Sequence, residues 1–179
     1  HGGGTPDHYS VQNHVDIQTS ALGKAVGVIG SFVAGSHEII YYLRVSARSY
    51  IFSASIPSAF AAGTLKAIDI IANSYELRKK LWFNSDYLRN SLKEKGFNTH
   101  LSESPSPIIP VMIGDEKKAI DISNSLFDRN IFAPAIRFPA VAKGSARIRL
   151  TVMATHNKED LDYLITNLYE IGKFNKVIH

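Results

Sequence analysis

Apolar positions along this chain recur with two different periods, and the change of period marks its elements. Residues 1–14 are glycine-rich and polar and read as loop. Val15 to Thr19 and Ser31 to Ala34 are short strand candidates, with Gly30 and Gly35 as punctuation. Ser36 can cap a helix running to about Ser46, in which Ile39, Ile40, Leu43 and Ala47 have helical spacing. Tyr50 to Ser53 reads as a strand or extended turn. Pro57 suits the first position of a helix, where its missing N–H costs nothing. From there "PSAFAAGTLKAIDIIANSYELRKKLWFNSDYLRNSLKEKG" is helical almost throughout and ends at Gly96, a good C′ residue. That run is long for one straight helix, so a break is expected at Asn73-Ser74, and with it a boundary between domains 1–74 and 75–179.

The second half alternates strand and helix. Phe97–His100, Ile108–Ile113, Phe132–Ala135 and Arg147–Val152 read as strands. Asp115 caps a helix through Arg129, and Asn157 caps the last helix with Asp160 as its capping-box acid. The pattern is α/β, with few strands and helices packed on one side.

Composition narrows the classes. The chain has 179 residues, 45% hydrophobic and 20% charged, which is ordinary for a globular protein. Its formal net charge is +4, and the densest basic cluster, Arg78-Lys79-Lys80, lies beside Glu76 and reads as a solvated helix face. No basic stripe carries interleaved aromatics, so nucleic acid is not an expected partner. The absence of cysteine excludes a disulfide scaffold and a thiolate nucleophile, and suits a reducing cytoplasm. No apolar run has the length of a membrane span and no signal pattern opens the chain. The start on His-Gly-Gly-Gly reads as a processed or truncated product, or an expression scar.

Three places could carry chemistry. Lys24 sits between Gly23, Ala25 and Gly27, small neighbours that let another group approach. An ε-amine is a nucleophile only when neutral, which desolvation or nearby positive charge favours. The other reading is a lysine reaching solvent from a loop. In "SARIRLTVMATH", Arg147 and Arg149 are two apart on a predicted strand and share one face, where a carboxylate is the natural bidentate partner. The competing reading is an edge strand with exposed arginines. Arg137, before Pro139, is a weaker candidate or an exposed loop residue. Ser53 and Ser55 lie just ahead of a helix start, where hydroxyls and free N–H groups suit a phosphate, or simply cap the helix. The histidines show no metal-ligand spacing; His8 could be a buried hydrogen-bonding residue. No GxSxG or Walker element is present.

Several of these segments together resemble the α-oxoamine synthases, fold-type-I pyridoxal-phosphate enzymes that condense an amino acid with an acyl-CoA. "DIQTSALGKAVGVIGSFVAGS" resembles the family's lysine segment, "GGGTPDH" its Gly-x-Gly-Thr-x-x-His stretch, and "ARSYIFSASIPSA" the segment that follows. "SPIIPVMIGD" and "AIRFPAVAKGSARIRLTVMATH" resemble its C-terminal lobe. The resemblance implies the end of a large cofactor-binding domain followed by a small α+β domain. Lys24 would be the Schiff-base lysine and, once freed, the base for the substrate's α-proton. Arg149 would bind the substrate carboxylate, and Ser53 would reach the cofactor phosphate of a partner subunit in a homodimer with shared active sites. "AIRFPAVAKGSARIRLT" leans towards the 8-amino-7-oxononanoate synthase members; other segments suit 2-amino-3-ketobutyrate CoA ligases and serine palmitoyltransferases equally.

The chain also departs from that pattern. Ala21 stands where the family usually has a phosphate-contacting threonine, and Ser53-Ala54 replaces a Ser/Thr–Thr pair. Family members are roughly twice this length, and the aspartate that pairs with the pyridine nitrogen is expected upstream. The chain therefore reads as the C-terminal half of a longer enzyme, inactive by itself. A non-catalytic paralogue that uses the fold for interaction is the reading from another class: Lys24 and Arg149 argue against it, Ala21 and Ala54 for it.

Overall fold

The computed structural model describes residues 2–54, 56–99 and 106–178, which fold as two compact units, His1–Tyr75 and Glu76–His179. In the first unit, the glycine-rich opening forms a one-turn helix α1 (Thr5–His8) and a 3-10 turn (Gln12–His14) rather than plain loop. Strands β1 (Ile17–Ala21) and β2 (Ser31–Gly35) pair antiparallel, Ile17 opposite Gly35 through Ala21 opposite Ser31. Gly35 is required there, because a Cβ would lie 2.8 Å from the Asp16 carbonyl oxygen. Helix α2 (His37–Ser46) starts as expected at Ser36, whose side chain accepts from the Ile39 N–H. Tyr50 to Ser53 is not extended. A short helix α3 (Arg48–Ile51) covers it, closed by the Ile51 and Phe52 amides on the Ala47 and Arg48 carbonyls. Helix α4 (Ser58–Asn73) begins one residue after Pro57 and stops at Ser74, where the sequence placed the break.

Helix α5 (Tyr75–Glu94) leads into the second unit. Its end is a Schellman motif. The Phe97 N–H donates to Leu92 O and the Gly96 N–H to Lys93 O, with Gly96 at φ +88. Phe97 to Thr99 is irregular rather than a strand. The Asn98 carbonyl accepts from the Met112 N–H of β3. His100 lies outside the described residues. Strand β3 (Ile108–Gly114), helix α6 (Glu116–Phe127, capped by Asp115), β4 (Ala135–Ile136), β5 (Ala146–Thr151) and helix α7 (Lys158–Phe174) follow. The strand expected over Phe132–Ala135 shrinks to two residues, since Pro134 has no N–H to give a ladder. The sheet order is β3-β5-β4, all antiparallel.

One face of that sheet is covered. Ile109, Val111, Ile148 and Leu150 pack with Leu88 and Leu92 of α5, Ile122 and Leu126 of α6, and Leu161 and Leu168 of α7. Asn157 and Asp160 form the anticipated capping box at the start of α7. Outside the core, Tyr87 donates to Asp162, which also binds Lys158. The bonds from Lys158 and then Tyr87 hold the Asp162 carboxyl below its ordinary value, and the bond it donates to Asp162 holds the Lys158 ammonium above its own.

Two outcomes follow. Leu168→Ala empties a fully buried site and should lower stability by about 2–5 kcal/mol in urea titrations. A depressed carboxylate contributes stability above its ordinary value and loses it as pH falls through its lowered one. The stability difference between the parent and Asp162→Asn should therefore be largest near neutrality and vanish in acid.

Candidate functional site

Lys24 stands in the loop between β1 and β2. The loop is closed at its base by the Leu22 N–H on Gly30 O, 2.9 Å, and internally by Val28 N–H on Leu22 O and Gly27 N–H on Lys24 O. Leu22 is 5% exposed and anchors the loop; Gly30, at φ +122, brings the backbone against Leu22 and Ile56. Val28 packs against Gly63 of α4, where a Cβ would meet its Cγ2 at 3.7 Å. Lys24 is thus an exposed side chain on a braced turn. Its amine has no hydrogen bond or ion pair among the described residues. Gly27, at φ +70, has nothing within 4 Å of where a Cβ would stand, so the space beside the lysine is open.

Ser53 lies in the same unit, in the bend after α3. Its hydroxyl donates to the Ser49 carbonyl, so its proton is committed within the helix turn. Ser55 lies outside the described residues. His8 is exposed, not buried, and stands edge-on to the Tyr9 ring.

The second unit holds the arginines. β5 is the central strand of its sheet, not an edge, so the edge-strand reading of Arg147 and Arg149 fails. The pleat sends Ile148 and Leu150 into the core and both arginines to the face that the helices of this unit leave open. Pro110 stands opposite Arg149, and Met112 and Ile136 flank Arg147. Arg147 donates from Nε to Ser145 O, 3.0 Å. Arg149 is exposed and its guanidinium has no partner among the described residues, while its backbone N–H is held by Pro134 O, 3.0 Å. Arg137 is exposed, and among the described residues its guanidinium reaches only the neighbouring Phe138 carbonyl.

A residue that the sequence did not single out fixes the end of this strand. Asn84 of α5 is 4% exposed, and its amide donates to both Met153 O and His156 O. Asn84 and Met153 are 69 positions apart, which leaves no local pattern from which this could be read. A cavity of about 520 Å³ opens beside the turn, lined by Phe132, Pro134, Arg149, Met153, His156 and Tyr163 among others.

The residues fit a cofactor that carries an aldehyde and a phosphate. A free primary amine on a stiff turn with open space beside it suits the aldehyde, and hydroxyls at the hairpin base can meet the phosphate. No group of acids and histidines that could hold a metal occurs among the described residues. No helix there is long and apolar enough to cross a membrane.

Comparison with known proteins places these features. The profile of the family described as aminotransferase class I and II matches residues 1–168. The 8-amino-7-oxononanoate synthase of Thermoanaerobacter pseudethanolicus is 42% identical over 99% of this chain and 44% of its own length. The chain therefore spans less than half the length of that relative. Among solved structures, a Sphingomonas wittichii serine palmitoyltransferase superposes with TM-score 0.94 and 27% identity, over 100% of this chain and 45% of its own. A high-resolution structure of SPT with PLP superposes with TM-score 0.91 and 26% identity, over 97% of this chain and 44% of its own.

The sheet geometry makes a prediction that separates site from scaffold. Arg149→Ala should shift stability by no more than about 0.5 kcal/mol. Its strand neighbour Ile148→Ala should cost about 2–5 kcal/mol. Urea midpoints of the two variants measure the contrast.

Proposed function

The chain belongs to the aminotransferase class I and II family, and from that premise we propose that it is the C-terminal part of a pyridoxal-phosphate-dependent α-oxoamine synthase, most like 8-amino-7-oxononanoate synthase. The observation that carries this reading is Lys24, a free amine on the braced β1–β2 loop. The 42% identity to an 8-amino-7-oxononanoate synthase supports that branch over the 27% identity to a serine palmitoyltransferase. Bound pyridoxal phosphate supplies an electron sink that stabilises negative charge at the substrate's α-carbon.

This chain's residues do the rest. Lys24 Nζ would hold the cofactor through its aldehyde carbon, with loss of one water. Once displaced by the substrate amine, the same Nζ would be placed to take the α-proton. Arg149 binds the α-carboxylate of the amino acid through its fork of N–H donors. With the cofactor bound, the carbon so activated would add to the acyl-CoA thioester and expel CoA, and loss of the α-carboxylate as CO2 would leave the α-oxoamine. Ser53 approaches the phosphate across a homodimer interface, which requires its hydroxyl to turn away from the Ser49 carbonyl. A cytoplasmic homodimer is the setting that fits these roles.

The test is direct. The protein is incubated with pyridoxal phosphate, reduced with borohydride and digested, and the labelled peptide is mapped by mass spectrometry. Stoichiometric label on Lys24, absent in Lys24→Ala, is the expected outcome. Label spread evenly over surface lysines would remove the cofactor site and the reading with it.

A further inference from the structure

We propose that the Ser31 hydroxyl is a phosphate contact of the cofactor bound at Lys24, a role that rests on the reading above. The backbone register carries the proposal. Leu22 donates to Gly30 across the hairpin, so those two residues form a hydrogen-bonded pair. Pairs alternate along an antiparallel ladder, and the next one, Ala21 opposite Ser31, is non-hydrogen-bonded. Such pairs have Cα atoms about 4.5 Å apart and the closest side chains in the ladder. Ser31 therefore projects beside the methyl group of Ala21, on the same face of the hairpin, at the base of the loop that bears Lys24. Register at the far end is pinned by the close approach of Gly35 to Asp16 O.

The hydroxyl is also free. Ser31 is exposed and makes no hydrogen bond among the described residues, so its proton is available to an anion. Its rivals are worse placed. Ala21 has no donor side chain. Ser20 projects from the opposite face of β1, and Thr19 lies two residues farther from the loop, about 7 Å along the strand. Ser53, the contact proposed from the partner subunit, must first give up its bond to the Ser49 carbonyl. In pyridoxal phosphate the aldehyde and phosphate arms leave adjacent ring carbons. A phosphate attached to a ring held by Lys24 is thereby kept beside the lysine's own loop, where Ser31 stands.

The proposal is tested on the full-length protein that carries this chain, stripped of cofactor and titrated with pyridoxal phosphate and, separately, with pyridoxal, followed by absorbance. Ser31→Ala should raise the pyridoxal phosphate dissociation constant about tenfold, the scale of one hydrogen bond to a charged group. Pyridoxal, which lacks the phosphate, should bind the variant and the parent alike. Adding Ala21→Thr to Ser31→Ala puts a hydroxyl back on the same face and should recover most of the loss. Equal weakening for both ligands would mean that Ser31 only shapes the loop, and no change for either would mean that it touches nothing; both overturn the proposal. Failure of borohydride labelling at Lys24 in the unaltered protein would instead remove the premise, and the proposal with it.

Discussion

The pleat of β5 is the constraint on which the second unit turns. Its residues alternate between a fully buried core and an open face, with Ile148 and Leu150 inward and Arg147 and Arg149 outward. A slip of one residue would exchange the two sets and bury two guanidinium groups among leucines and isoleucines. The register is therefore fixed by the cost of the alternative as much as by the gain of the native one. It is fixed again at both ends. Gly114 accommodates an irregularity opposite Ala146, and the Asn84 amide ties down the turn that follows Val152. Arg149 is thereby aimed without being packed: its backbone is held by neighbours on both sides, while its guanidinium has no partner among the described residues.

The first unit reaches a similar end by different means. Among its described residues only Leu22 is buried, and it lies directly under the lysine loop. The loop is stiffened by its hydrogen bonds, by glycines at positive φ and by contacts with Ile56 and Gly63. Elsewhere in the unit Tyr41, Tyr42, Val45, Phe52, Phe60 and Leu65 are exposed. Apolar side chains in that number on one small unit mark surface made to be covered. This accords with relatives whose own length is more than twice what the chain spans.

What could be read from the sequence follows this division. Caps were legible, because Ser36, Asp115, Asn157 and Asp160 act within three residues of where they stand. The break at Ser74 and the Schellman end at Gly96 were legible for the same reason. The facing of Arg147 and Arg149 followed from the period of a strand, but its rank in the sheet did not. Whether β5 was an edge or the centre depended on β3 and β4, whose pairing no local pattern encodes. Short apolar runs misled where a single interaction decided the outcome. Tyr50 to Ser53 had strand-like residues, yet the carbonyls of Ala47 and Arg48 closed them into a helical turn. Lys24 was legible as an oddity, and its meaning came from resemblance; its bracing by Leu22, Val28 and Gly30 needed coordinates.

The distribution of the chemistry is itself informative. A Schiff-base lysine must be held still while bonds to it form and break, and the proposed one, Lys24, stands on a two-stranded ribbon whose loop is bonded to itself. A carboxylate-binding arginine needs a fixed backbone and an unencumbered head group, and the proposed one, Arg149, stands on the central strand of its sheet, on the face the helices of its unit leave open. In a core, an unpaired guanidinium would cost several kcal/mol; on a fully solvated loop its geometry would be undefined. The open face of a central strand is the position that avoids both penalties. Arg149 occupies it, with no partner among the described residues and its strand anchored by Ile148 and Leu150 on the other face, which favours the proposed carboxylate-binding role. A residue that only held the sheet together would point the other way.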